Sequence, residues 1–316
     1  MQRSYRGVVL ISIIFFLMGC AQETSNAKTD QDISAGLIVT ESGLGDESFS
    51  DSAFQGLEKA RDELGITFDY REPFDSDYEK NTRELVSQEH EVIIGLGYNA
   101  QTAIDTLAKE FPEQSFVLID AVSDLDNVTS ILFKEDEGSY LIGLLAGMKT
   151  KSDTVGFIGG EDIPVVNRFE KGFKAGVKKA NPEADVLIEY AGTFDDDHKG
   201  ASITKQMINQ KADYIFPAAG FTGIGVLKEA QKQGIYAFGV DSDQFFVAEE
   251  AVVTSMLKNV DVALYGVMQQ LKDGEKLDGD THTLGINENG VGLAPVRLIK
   301  LTSEQESMLN KASGTK

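Results

Sequence analysis

Asp46, Asp120 and Asp241 are carboxylates placed just beyond short apolar runs, and Phe49 and Phe169 are aromatic rings in comparable positions. Gly43 and Ser48 stand beside the first group, and Gly97, Tyr98 and Asn99 follow a later run. Asn167 and Arg168 come after the Gly159-Gly160 turn, and Ala218, Ala219 and Gly220 end a further run. Carboxylates and amides hold the hydroxyl and N–H groups of a ligand, and ring faces hold flat groups. Taken singly, each has an ordinary structural role: Asp46 as a helix cap, Asp120 as a turn former, Phe49 and Phe169 as core. Their repeated placement after strands points to a binding site.

Nothing in the spacing suggests nucleophilic catalysis. No Ser-His-Asp or Cys-His arrangement is visible, and His90, His198 and His282 are scattered on polar segments. The run Asp195-Asp196-Asp197-His198 has metal-binding residue types but reads as a solvated turn. No Walker-type phosphate loop is present. The acids Glu135, Asp136 and Glu137 read as a helix N-terminus, where negative charge suits the dipole. The formal net charge of −22 sets the chain against nucleic acid and anionic lipid.

The elements that must carry these residues alternate. Apolar strands are predicted at 36–40, 92–96 and 116–119, with helices at 51–64 and 101–109. The first helix places Ala53, Leu57, Ala60 and Leu64 on one face. The second half repeats the theme, with strands at 154–158, 186–190, 214–217 and 236–240 and a helix at 168–180. Fully apolar strands separated by helices imply parallel sheets covered on both faces. The expected class is α/β, with two doubly wound parallel-sheet lobes. In such sheets ligands bind beyond the carboxyl ends of the strands.

The N-terminus has a separate logic. Arg3 and Arg6 precede an apolar stretch at 8–18, then Gly19 and Cys20, the only cysteine. That order is a secretory signal, and the stretch is shorter than the roughly 20 apolar residues a bilayer span needs. A cysteine after a small residue resembles the lipobox of bacterial lipoproteins. It implies a signal peptide over 1–19, lipid on Cys20 and a flexible tether over 20–34.

Gly45-Asp46-Glu47-Ser48-Phe49 with Gly56, and then residues 116–120, 133–139, 169–176, 218–220, 239–241 and 254–258, resemble in order the signatures of one family. It is the basic membrane protein (BMP) family of solute-binding lipoproteins, which includes purine nucleoside receptors of ABC importers. The resemblance implies the type I periplasmic binding protein fold, its lobes joined by a three-stranded hinge. It places lobe 1 at 35–133 and 259–290, lobe 2 at 134–258 and 291–302, and a C-terminal tail at 303–316.

It further implies that Phe49 and Phe169 clamp a purine base from opposite lobes. Asp46, Ser48 and Asn99 would read the base edge, and Asp241 the ribose hydroxyls. Lys258, at the hinge, would donate to sugar oxygens, Asp120 would serve base or sugar, and Gly220 would complete the wall. No catalytic residue, cofactor or metal is expected. The expected partners are a nucleoside, an ABC permease and, through Cys20, the outer face of the cell membrane; nucleic acid is not expected. The expected state is a monomer. Exposed acids such as Glu58 and Glu79 would meet permease loops. A sensory or regulatory lipoprotein on the same fold is the alternative. Gly45, Ser50 and Phe221 depart from residues common in the family and are expected to border the base pocket.

Overall fold

A computed structural model describes residues 33–314. Signal peptide, Cys20 and most of the tether lie outside the described residues. The described residues form one compact unit.

The chain builds two six-stranded sheets. The first contains β1 (Ser34–Ile38), β2 (Thr67–Arg71), β3 (Val92–Leu96), β4 (Ser115–Ile119), β5 (Val128–Phe133) and β11 (Thr281–Leu284), in the spatial order β11-β5-β4-β3-β1-β2. Every neighbouring pair in it is parallel. The second contains β6 (Thr154–Gly159), β7 (Asp185–Tyr190), β8 (Tyr214–Ala218), β9 (Tyr236–Asp241), β10 (Val252–Lys258) and β12 (Val291–Leu293), in the order β12-β10-β9-β8-β6-β7. Its pairs are parallel except β10 with β12. Two parallel-sheet α/β lobes result.

Burial on both faces explains the apolar strands. Alternate residues of one strand enter different cores: Leu37 with Ile94 and Val117 on one face, Ile38 with Ile93 and Phe116 on the other. In the second lobe Phe157 and Phe216 face one core while Ile158 and Ile215 face another. β7, at the edge of the second sheet, is mostly half-buried and keeps an apolar run; the edge strand β2 is largely uncovered, and its sequence is correspondingly polar. That polarity hid β2 from the sequence reading.

Helices α1 (Phe49–Leu64) and α8 (Val260–Lys272) pack together on one face of the first sheet, and α2 (Tyr78–Val86) and α3 (Gln101–Glu110) on the other. In the second lobe α4 (Glu135–Lys149) pairs with α5 (Pro164–Ala180), and α6 (Asp197–Asn209) with α7 (Gly220–Gln233). The α4–α5 contact is so close that a Cβ on Gly176 would overlap the Tyr140 carbonyl oxygen. The chain passes between sheets after Phe133, after Lys258 and between Leu284 and Val291. The C-terminal residues are more than a tail: Ser303–Ala312 forms α9, opened by a Thr302–Gln305 capping box.

Candidate functional site

The carboxyl ends of both sheets face one cavity of about 110 Å³. From the first lobe Asp46, Phe49, Asn99 and Asp120 line it. From the second come Phe169, Gly220, Asp241 and Lys258. Ser48, also expected there, does not line the cavity and lies fully buried behind it.

Strand ends position the two central aspartates. Asp120 follows β4 and Asp241 closes β9, both with left-handed backbone, φ 67° and 64°. Aspartate is among the few non-glycine residues that tolerate this region. The turn it makes aims each carboxylate off the strand end and into the cleft. Gly220 opens α7 with φ 53°, where a side chain would be strained.

Asp46 has two roles. Its carboxylate accepts from the backbone N–H of Ser48 (2.9 Å), Ser50 (2.9 Å) and Asp51 (3.2 Å), so it caps α1. It also lines the cavity, and burial pushes it up to about 6 despite those three donors. Asn99 is exposed and donates to Glu41 at 3.2 Å.

Lys258 is the centre of the charge arrangement. Its side chain is 2% exposed, and the ammonium donates to Asp120 Oδ2 at 2.5 Å, with Glu135 Oε1 at 3.1 Å. Three rings surround it, their centroids 4.9 Å (Phe49), 5.1 Å (Phe133) and 5.6 Å (Phe169) away. Cation–π attraction and the two carboxylates offset its desolvation. Burial alone would lower this amine, but the charges of Asp120, Glu135 and Asp241 hold it above its ordinary range. Asp241 is pushed up to about 6 by burial, against the pull of Lys258 and Ser48.

The lobes touch through hydrogen bonds beside the cavity. Ser48 Oγ donates to Asp241 Oδ2 at 2.5 Å. The Glu47 carbonyl accepts from Ser242 Oγ at 2.6 Å and from Gln244 Nε2 at 3.0 Å.

Some expectations need correction. Gly45, Ser50 and Phe221 do not line the cavity. Gly45 adopts φ 92° and donates to Asp51, which gives it a backbone reason. Ser50 is buried against Thr40, its hydroxyl 2.9 Å from Thr40 Oγ1. The acidic run near His198 opens a helix: Asp196 accepts from Lys199 N at 2.9 Å. Among the described residues no cluster of His, Cys, Asp or Glu could hold a metal ion. Glu58 and Glu79 pair with Arg61 and Arg83 on their own helices.

Sequence reasoning missed Glu41, Tyr78 and Phe194 in the lining and the burial of Glu135. Glu41 directly follows the predicted first strand, so the strand-end rule could have found it. Tyr78 sits after β2, an edge strand too polar to be recognised, whereas Phe194 follows the predicted strand at 186–190, so the strand-end rule could have found it too.

Taken together, the cavity offers ring faces, one ammonium and several carboxylates, with no nucleophile-base pair assembled among the lining residues described above. Residues 33–315 match the profile of the Bmp family, described as ABC transporter substrate-binding protein PnrA-like. The chain belongs to this family. It is 34% identical over 296 residues to the CD4+ T-cell-stimulating antigen of Listeria innocua, covering 86% of this chain and 83% of that one. It is 31% identical over 331 residues to the ABC transporter nucleoside-binding protein BmpA of Lactococcus lactis, covering 96% and 93%. A solved ABC transporter solute-binding protein from Aeropyrum pernix K1 has the same fold, with a TM-score of 0.81 at 25% identity over 89% of this chain and 90% of that one. Membership of a substrate-binding family implies a small-molecule ligand and a permease partner.

Proposed function

We propose that the protein captures a nucleoside, with a purine base, between its lobes and delivers it to an ABC permease. The observation that carries this reading is the pairing of Phe49 and Phe169 from opposite lobes around a cavity that also presents Lys258, Asp120 and Asp241. A flat base fits between rings, where stacking contributes about 1–3 kcal/mol per base. Ribose hydroxyls fit the carboxylates, and hydrogen bonds to charged groups contribute about 1.5–3 kcal/mol. A cavity with more carboxylates than cations disfavours a phosphate, which favours a nucleoside over a nucleotide. The name of the Lactococcus relative supports the same ligand class. In this reading the protein is a monomer held by lipid on Cys20 at the outer face of the cell membrane. The test is to denature the freshly purified protein and identify the released solute by mass spectrometry. A purine nucleoside supports the reading; a stoichiometric solute of another class overturns it.

A further inference from the structure

Lys258 carries three N–H donors. Asp120 Oδ2 takes one at 2.5 Å, and Glu135 Oε1 forms an ion pair with the ammonium at 3.1 Å. Asp120 Oδ1 is buried and has no hydrogen-bond partner, and the same holds for Glu135 Oε1 and Arg168 Nη2; of the three residues only Asp120 lines the cavity. A buried acceptor without a partner is costly unless something fills it. Glu135 is fully buried and is not part of the lining. Its second oxygen accepts from Arg168 Nε at 2.6 Å, and Arg168 is likewise outside the lining.

These four side chains form a balanced set of two cations and two anions. Each member has a reason to be there. An ammonium facing only Asp120 would settle across both of its oxygens and occupy Oδ1. A second carboxylate oxygen 3.1 Å from the ammonium competes with Oδ1 for it. Without Arg168, that second carboxylate would leave the buried group with an uncompensated charge.

We propose that Glu135, oriented by Arg168, is a positioning residue that draws Lys258 off the second oxygen of Asp120, leaving Asp120 Oδ1 and one Lys258 N–H as an adjacent acceptor and donor for the ligand. The site then selects a ligand edge that carries a donor and an acceptor side by side. This rests on the functional reading above for the nature of the ligand, and on the geometry alone for the positioning.

The experiment uses the full chain with two readouts. The first is the lysine ammonium 1H–15N spectrum, in which the protected Lys258 signal is assigned by its loss in Lys258→Met. Glu135→Gln shifts or broadens that signal; an unmoved signal overturns the proposal, whether or not any nucleoside binds. The second is a guanosine titration of Glu135→Gln, Asp120→Asn and the double variant. Each single change weakens binding by about tenfold or more. The double variant is no weaker than Asp120→Asn, because Glu135 acts through that oxygen. Losses that multiply indicate a general structural effect and overturn the proposal. Should Glu135→Gln fail to fold, Arg168→Gln, whose side chain is 34% exposed, carries the same two readouts, and Arg168→Lys restores binding in part. A wild type that binds no nucleoside defeats the functional reading, and the ammonium signal then decides the positioning.

Discussion

Ser48 on the first lobe donates its hydroxyl proton to Asp241 on the second, at 2.5 Å, directly behind the cavity between the sheet ends. The sugar-reading carboxylate proposed for one lobe is thus held by the other. The contact between the lobes and the orientation of Asp241 share this hydrogen bond. The nearby bonds from Ser242 and Gln244 to the Glu47 carbonyl tie the same two loops together.

Asp241 and Asp46 also make stability depend on pH. Burial raises each from 3.8 to about 6. Between those values the folded protein keeps protons that the unfolded chain has released. Their contribution therefore favours folding at low pH and is lost as pH rises through about 6. For one such group the loss is on the order of 3 kcal/mol. Urea unfolding of the ligand-free protein and of Asp241→Asn at pH 4 to 7 checks this. The variant gains on the wild type as pH rises, whereas parallel profiles would contradict the assignment.

Phe169 serves the cavity and the core at once. It is buried and lies against Phe216, ring centroids 6.4 Å apart. Phe169→Ala lowers stability by about 3–5 kcal/mol and weakens nucleoside binding by about 1–3 kcal/mol. Phe169→Leu keeps most of the volume, so it loses the stacking with a smaller loss of stability. Calorimetric titration beside urea unfolding separates the two effects. Unchanged affinity in both variants would remove Phe169 from the clamp.

Gly176 tests the packing that supports α5, which carries Phe169. A methyl group there meets the Tyr140 backbone, which cannot swing aside as a side chain would. Gly176→Ala is expected to destabilise by about 1–3 kcal/mol or more. Gly266, inside α8, is the opposite case: a methyl group there would meet nothing within 4 Å. Gly266→Ala is expected to stabilise by about 0.5–1 kcal/mol through helix propensity. Thermal melts of the two variants should move in opposite directions.

Cys20 carries the proposed anchor. Cys20→Ser moves the protein from the membrane fraction to the soluble fraction. Retention of the variant in the membrane fraction would point to an uncleaved N-terminal anchor in place of lipid.

The sequence made the two-lobe architecture legible because strands buried on both faces are uniformly apolar, as Val92–Leu96 shows. The polar edge strand β2 carried no such mark. The rim residues Asp120 and Asp241 were readable because each directly follows an apolar run. Ser48 was not readable as a cross-lobe donor, since its partner is 193 residues away. Glu135 was read as a helix N-terminus, and it does open α4, but its ion pairs with Lys258 and Arg168 arise only where α4, α5 and the end of β10 pack together within the second lobe. Local pattern identifies the strand-end positions; only the fold decides which side chains face the cavity and which stand behind it.

The most direct test of the central claim is isothermal titration of the protein, unfolded and refolded to remove carried-over solute, with guanosine, adenosine, inosine, cytidine and ribose. The account predicts micromolar or tighter binding of purine nucleosides, with cytidine and ribose much weaker. Binding of none of the five, or ribose as tight as guanosine, would contradict it.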